Sequence, residues 1–192
     1  MGNFNGLVLA AGKSSRMQQD KAGLLLPCGT TMLQRTIAQL LDAGVKNVIV
    51  NSHLPIPSNV VNAQDDGSLL GPVAGIHAAL KQNRDTPLLV LPIDMPWLQQ
   101  TCLQRLVETA YENRVSTYFD DQCLPLLIWQ PEALLQELEV LKLTDNAPSV
   151  WRLTKLIDAK SIEHQEPMRL RNTNTPVQWQ TFISEYESIR EK

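Results

Sequence analysis

The chain has 192 residues, 43% hydrophobic and 19% charged, and its net charge of −3 leaves no basic excess for a nucleic-acid backbone, which argues against a general nucleic-acid binder. No apolar stretch approaches the roughly 18–20 residues needed to cross a bilayer, and no signal-peptide pattern opens the chain. Cys28, Cys102 and Cys123 are scattered without zinc-site spacing and suit a reducing compartment, so the expected location is the cytoplasm, away from membranes.

Strand and helix patterns alternate, which predicts an α/β fold: a three-layer, doubly wound, mostly parallel sheet. Gly6 to Ala11 reads as a buried parallel strand that stops at Gly12. Thr30 or Thr31 caps a helix carrying Leu33, Ile37, Leu40 and Leu41 and ending at Gly44. Asn47 to Asn51 is the second predicted strand and Val60-Val61 the third. Gly71-Pro72 opens a helix through about Lys81, with proline tolerated in the first turn. Pro87 to Pro92 is another buried strand and Gln99 to Ala110 another helix. Beyond Arg114, Val115 to Tyr118 and Leu124 to Trp129 read as strands joined by a polar turn at Asp120, Asp121 and Gln122. Helices follow at Pro131 to Leu141 and, capped by Ser149, at Val150 to Ile157. Thr175-Pro176 starts a last amphipathic helix with Val177, Phe182, Ile183 and Tyr186. With no repeat, low-complexity tract or linker, residues 1–192 read as one domain.

Chemistry concentrates where the first strand ends. Gly12 would let backbone approach a phosphate closely, Ser14 and Ser15 add hydroxyls, and Lys13, Arg16 and Lys21 place three cations within nine residues, opposed only by Asp20. The loop matches neither G-x-x-x-x-G-K-[ST] nor G-x-G-x-x-G, because Gly12 stands alone until Gly23. A solvated strand-to-helix turn would carry such lysines as well; a glycine set against a hydrophobic strand, with cations at staggered reach, favours a polyphosphate. Asp94 follows the Pro87–Pro92 strand and falls on the same sheet edge as Gly12, where a carboxylate holds Mg²⁺ together with phosphates. An aspartate before Met95-Pro96 also suits a turn. Arg16 and Lys21 are the phosphate-binding pair, one a planar fork and the other a compact charge. Asn51 closes its strand where an amide faces a bound ligand, although strand-end asparagines also form turns. Gly71 to Gly75 offer small residues and free amides to a flat base.

Leu9-Ala-Ala-Gly-Lys-Ser-Ser-Arg-Met-Gln-Gln-Asp-Lys21 resembles the signature L-A-[GA]-G-x-S-x-R-M-G-x-x-K of small nucleotidyltransferases, and specifically of the molybdenum cofactor guanylyltransferase family. Gly71-Pro-Val-Ala-Gly-Ile76 is similar to its G-P-L-A-G-[IM], Leu91 to Trp97 to its C-D-x-P segment, and Asn172-Thr-Asn-Thr-Pro176 to its N-x-N-T-P. The resemblance runs from about Gly6 to about Trp179. It implies a Rossmann-like nucleotidyltransferase fold with a nucleotide half at about 1–98 and an acceptor half at about 99–192. It implies Asp94 as the Mg²⁺ ligand and Arg16, Lys21 and Asp94 as the catalytic set. The nucleotide would meet Leu9, Ala10, Ala11, Gly12, Lys21, Asn51, Asp65, Gly71, Pro72 and Asp94, and the acceptor Asn172 and Asn174. Asp65 and Asp66 compete for the family's nucleotide aspartate, and Asp65 is preferred. The implied reaction moves GMP from GTP to the terminal phosphate of molybdopterin, releasing pyrophosphate; molybdenum-insertion proteins and molybdoenzyme chaperones are the implied protein partners.

Three rivals stand beside it. Cytidylyl transfer to the same pterin suits Ala11, sugar-1-phosphate nucleotidyltransferases share the first motif, and a nucleotide binder without turnover would have no use for Asp94. Two positions depart from the family pattern: Gln18 replaces the glycine after Arg-Met, and Leu124 precedes Pro125 where a polar residue is usual. His53, His77 and His164 are scattered, and His77 reads as structural.

Overall fold

Four strands of almost unbroken apolar sequence form the middle of the molecule, because each is covered on both faces and has no solvent side to present. In the computed structural model, which describes residues 3–12, 21–120, 122–164 and 167–190, these are β1 (Asn5–Leu9), β2 (Val48–Asn51), β4 (Leu88–Pro92) and β6 (Gln122–Ile128). With β3 (Val61–Asn62), β5 (Thr117–Phe119) and β7 (Lys160–Ile162) they make a seven-stranded sheet in the order β3-β2-β1-β4-β6-β5-β7. β1 pairs in parallel with β2 and β4, β2 with β3, and β5 with β7; only β6 runs against its neighbours. That reversal follows from the short return between Phe119 and Gln122, too short for a crossover. The carboxyl ends of β1, β2 and β4 therefore share one edge, and β6 starts from it. Leu126 pairs with Val90, so Leu124 enters the sheet level with the end of β4.

Among the described residues, six helices complete the layers: α1 (Met32–Asp42), α2 (Pro72–Gln82), α3 (Gln100–Asn113), α4 (Pro131–Leu141), α5 (Val150–Leu156) and α6 (Pro176–Arg190). Val8, Val50, Leu89 and Leu91 face α1, α3 and α6, where Leu33, Leu40, Leu103, Leu106 and Phe182 pack. Leu7, Leu9, Ile49 and Val90 face α2, α4 and α5, against Val73, Ile76, Leu134, Leu138 and Leu153. The three-layer expectation holds. Thr31 rather than Thr30 caps α1: its Oγ1 accepts from Gln34 N at 3.1 Å while Gln34 Oε1 accepts from Thr31 N at 2.8 Å. Ser149 caps α5 as expected, accepting from Arg152 N at 3.2 Å.

Several boundaries differ from the sequence reading. α3 runs on to Asn113 before Arg114 turns into the left-handed region, φ 54°. β7 escaped notice because Lys-Ser-Ile carries no apolar run; it is an exposed edge strand held by pairing with β5. The 3₁₀ turns at Lys21–Gly23 and Pro167–Leu170 are too short to announce themselves. Val177 is 75% exposed rather than part of the inward face of α6. That face carries Trp179, Phe182, Ile183 and Tyr186, spaced i, i+3, i+4 and i+7, and Val177 is out of step with it. Leu41 on α1 is likewise exposed. Among the described residues no helix is long and apolar enough to cross a membrane.

Candidate active site

A cleft of about 700 Å³ opens at the carboxyl edge of β1, β2 and β4, beside the start of α2. In an open α/β sheet this is where loops leave the strands and backbone groups are unpaired, so it is the natural ligand position. β1 leads straight into Ala10, Ala11 and Gly12, which line one wall, and no described residue lies within 4 Å of where a Cβ on Gly12 would stand. β4 leads into Ile93 and Asp94, and β2 into Asn51 and His53. Asp65 and Leu69 come from the loop after β3, and Gly71, Pro72 and Ala74 from the start of α2. Gly71 sits at φ 68°, a conformation that favours glycine, and turns the chain into a helix whose first residue is proline. Leu9, Ala10, Ala11, Gly12, Lys21, Asn51, Asp65, Gly71, Pro72, Ala74 and Asp94, all expected at the nucleotide, line this cleft, whereas Val73 and Gly75, expected against the base, do not.

The electrostatic centre lies at the β4 end. Lys21 Nζ donates to Asp94 Oδ2 at 3.0 Å and to Asn174 Oδ1 at 2.7 Å. The two charged side chains are only 15% and 19% exposed. Thr173 N donates to the Asp94 carbonyl at 2.8 Å, so the carboxyl-terminal segment is stitched to the exit of β4. Thr175 Oγ1 accepts from Gln178 N at 3.3 Å, which fixes the start of α6 behind it. Three segments remote in sequence therefore meet on one ammonium group. Asn172 lies outside the cleft lining; its Oδ1 is buried with no hydrogen-bond partner among the described residues. Arg16 and Lys13, with Ser14, Ser15 and Gln18, lie outside the described residues.

At the other end the two candidate aspartates separate. Asp66 Oδ2 accepts from Lys81 at 2.6 Å and Oδ1 from Ser68 N at 2.9 Å, and these bonds hold its carboxyl well below the usual carboxylate range. It is spent on the surface, whereas Asp65 faces the cleft. Asn51 corrects one expectation. Its side chain is 4% exposed, and its Nδ2 does not point free toward a ligand but donates to Ala63 O at 2.8 Å. The sequence reading passed over His53, Leu69, Leu70, Pro92 and Ile93 as site residues. Their signal is positional, since each lies within a few residues of a strand exit or helix start already recognised. Leu124, noted for its departure from the family pattern, borders the cleft from β6. His77 is structural as expected: buried on α2, it meets Glu139 Oε1 on α4 at 2.7 Å. Among the described residues, no group of three or more His, Cys, Asp or Glu gathers as a metal cage.

Residues 6–163 match the family described as MobA-like NTP transferase domain. The chain is 33% identical over 187 residues to a molybdenum cofactor guanylyltransferase of Xanthomonas euvesicatoria pv. vesicatoria (strain 85-10), covering 95% of each chain. It is 33% identical over 181 residues to another of that name from Pseudomonas fluorescens (strain Pf0-1), covering 88% of each. In structure it is similar to molybdopterin-guanine dinucleotide biosynthesis protein A from Archaeoglobus fulgidus, with a TM-score of 0.75 at 18% identity over 96% of this chain and 100% of that one. The 2-C-methyl-D-erythritol 4-phosphate cytidylyltransferase of Thermus thermophilus is also similar, with a TM-score of 0.71 at 16% identity over 95% and 98%. At those identities the two structures share the fold.

Proposed function

This chain belongs to the MobA-like NTP transferase family, and on that premise we propose that it transfers GMP from GTP to the terminal phosphate of molybdopterin, releasing pyrophosphate. The observation that carries the reading is the meeting of Lys21, Asp94 and Asn174 at one end of a cleft that has Asp65 at the other. β1 and β2 lie between β4 and β3, so the strands that lead to the two ends are three strand spacings apart, roughly 14 Å. A nucleoside triphosphate laid across β1 would set its base toward Asp65 and its phosphates toward Lys21.

Guanine presents an N1–H and a 2-amino group on one edge, and the half-buried Asp65 carboxylate is an acceptor for both. Cytosine offers one donor, its 4-amino group, beside two acceptors, and so satisfies the same carboxylate less well. Leu69, Pro72 and Ala74 supply apolar surface for the ring. At the phosphate end, Gly12 and the amides leaving β1 accept close approach of the triphosphate, and Lys21, with Arg16 five positions earlier in the sequence, neutralises it. The acceptor's ionised phosphate attacks the α-phosphorus; the new O–P bond forms as the bond to the β-phosphate oxygen breaks. No side-chain nucleophile is required, and positioning with charge neutralisation does most of the work. Thr173 holds the backbone of Asp94, and Asn174 orients Lys21.

The metal we assign is Mg²⁺. Asp94 and Asn174 bring a carboxylate and a carboxamide oxygen to within hydrogen-bond reach of the same Lys21 Nζ. Hard oxygen donors of this kind, one carboxylate with phosphates and water completing the shell, fit that ion. When bound it would stabilise charge developing on the phosphate oxygens. Leu124 and Asn174 border the side from which the pterin phosphate would arrive.

The test is pyrophosphate release with each of the four nucleoside triphosphates, with and without molybdopterin. Release with GTP and pterin together is expected. Preference for CTP would replace the guanylyl assignment by a cytidylyl one, and absence of release with every triphosphate would make the protein a binder.

A further inference from the structure

Gly75 is the fourth residue of α2, a position where glycine is a poor helix former and alanine a good one. Packing accounts for it. A Cβ on Gly75 would stand 2.4 Å from Asn51 Oδ1 and 2.8 Å from both Asn51 Cγ and Leu9 Cδ2. The leucine methyl is the far end of a flexible side chain. Asn51 is held. It is 4% exposed, its Nδ2 donates to Ala63 O at 2.8 Å, and Ala63 N in turn donates to Val50 O at 2.9 Å. Two residues beyond Ala63, Asp65 faces the cleft.

We propose that Gly75 is a positioning residue: by carrying no side chain it seats Asn51 between α2 and the end of β2, and Asn51, through Ala63, sets where Asp65 presents its carboxylate. Asn51 thereby acts on the nucleotide through the segment it anchors. The consequence for nucleotide affinity rests on the GTP reading above; the coupling of Gly75, Asn51 and Ala63 does not.

The test is a double-mutant cycle of Gly75→Ala, Asn51→Ala and the pair, in the full chain, with two readouts: affinity for a fluorescent GTP analogue and hydrogen exchange at the Ala63 amide. Gly75→Ala is expected to weaken the nucleotide about tenfold and to speed exchange at Ala63, and Asn51→Ala to do the same. The double variant is expected to match Asn51→Ala alone within about twofold, because the obstructed group is gone. Equal penalties for Gly75→Ala in both backgrounds, on both readouts, would overturn the proposal by making the glycine a general packing residue. Should Gly75→Ala fail to fold, folding of the double variant supports the proposal and its failure overturns it. Wild-type protein that ignores GTP while the exchange coupling persists would strike down the GTP reading alone.

Discussion

Lys21 Nζ lies 3.0 Å from Asp94 Oδ2, joining a residue 12 positions after the end of β1 to one two positions after the end of β4. The pair is mostly shielded from water, so its Coulombic attraction is less screened than that of a surface pair. Asp94→Asn keeps the shape and the bond acceptor but removes the charge. Transfer is expected to fall about 10²–10³-fold, while nucleotide binding without Mg²⁺ largely survives. Unchanged pyrophosphate release from this variant would contradict the assigned role.

Lys21→Met removes the ammonium group shared by Asp94 and Asn174 and leaves both acceptors facing the cleft. The triphosphate then loses a cation and meets a bare carboxylate. A fall in kcat/KM for GTP of about 10²-fold or more is expected, and Lys21→Arg should recover little of it, since a planar fork does not serve two acceptors as a point charge does.

Asp65 and Asp66 make a paired control. Asp65→Asn puts a donor where guanine offers donors, so GTP turnover is expected to drop about 10–100-fold relative to CTP. Asp66→Asn removes the charge from the surface bond to Lys81 and should leave the GTP-to-CTP ratio unchanged, because that carboxylate does not line the cleft. Steady-state rates with the two triphosphates check both.

The contact between α2 and α4 predicts a pH effect. The ammonium of Lys142, then His77, draws the Glu139 carboxyl down from 4.5 to about 2. A depressed carboxylate stabilises the fold above its unfolded pKa, near 4.5, and that contribution is lost as pH falls toward 2. Because Glu139 is exposed, the effect is small. Glu139→Gln should lower the thermal midpoint slightly at pH 7 and by much less near pH 2, as followed by circular dichroism.

The capping box of α1 is testable without ligand. Thr31→Ala removes the acceptor for Gln34 N and should cost about 1 kcal/mol in denaturant unfolding, with nucleotide affinity unchanged.

By itself the sequence determined the layer architecture and the ends of the strands that matter. Apolar runs such as Leu7–Leu9 and Leu88–Leu91 declare burial on both faces, and Gly12, Gly71-Pro72 and Asp94 declare where those runs release the chain. Strand ends in a parallel sheet share an edge, so the pattern alone places together residues far apart in number. What only the tertiary structure decided was partnership. The sequence preferred Asp65 over its neighbour Asp66 without a partner to separate them; Lys81, fifteen residues beyond Asp66 on α2, takes Asp66 and leaves Asp65 to the cleft. It read Asn51 as a free amide, while Ala63 uses its donor and Gly75 makes its room. β7 and the outward turn of Val177 were likewise settled by neighbours, through edge pairing and helical phase. Periodicity is a property of one segment and survives in the sequence; a hydrogen-bond partner or a steric limit belongs to two segments, and exists only once the fold has brought them together.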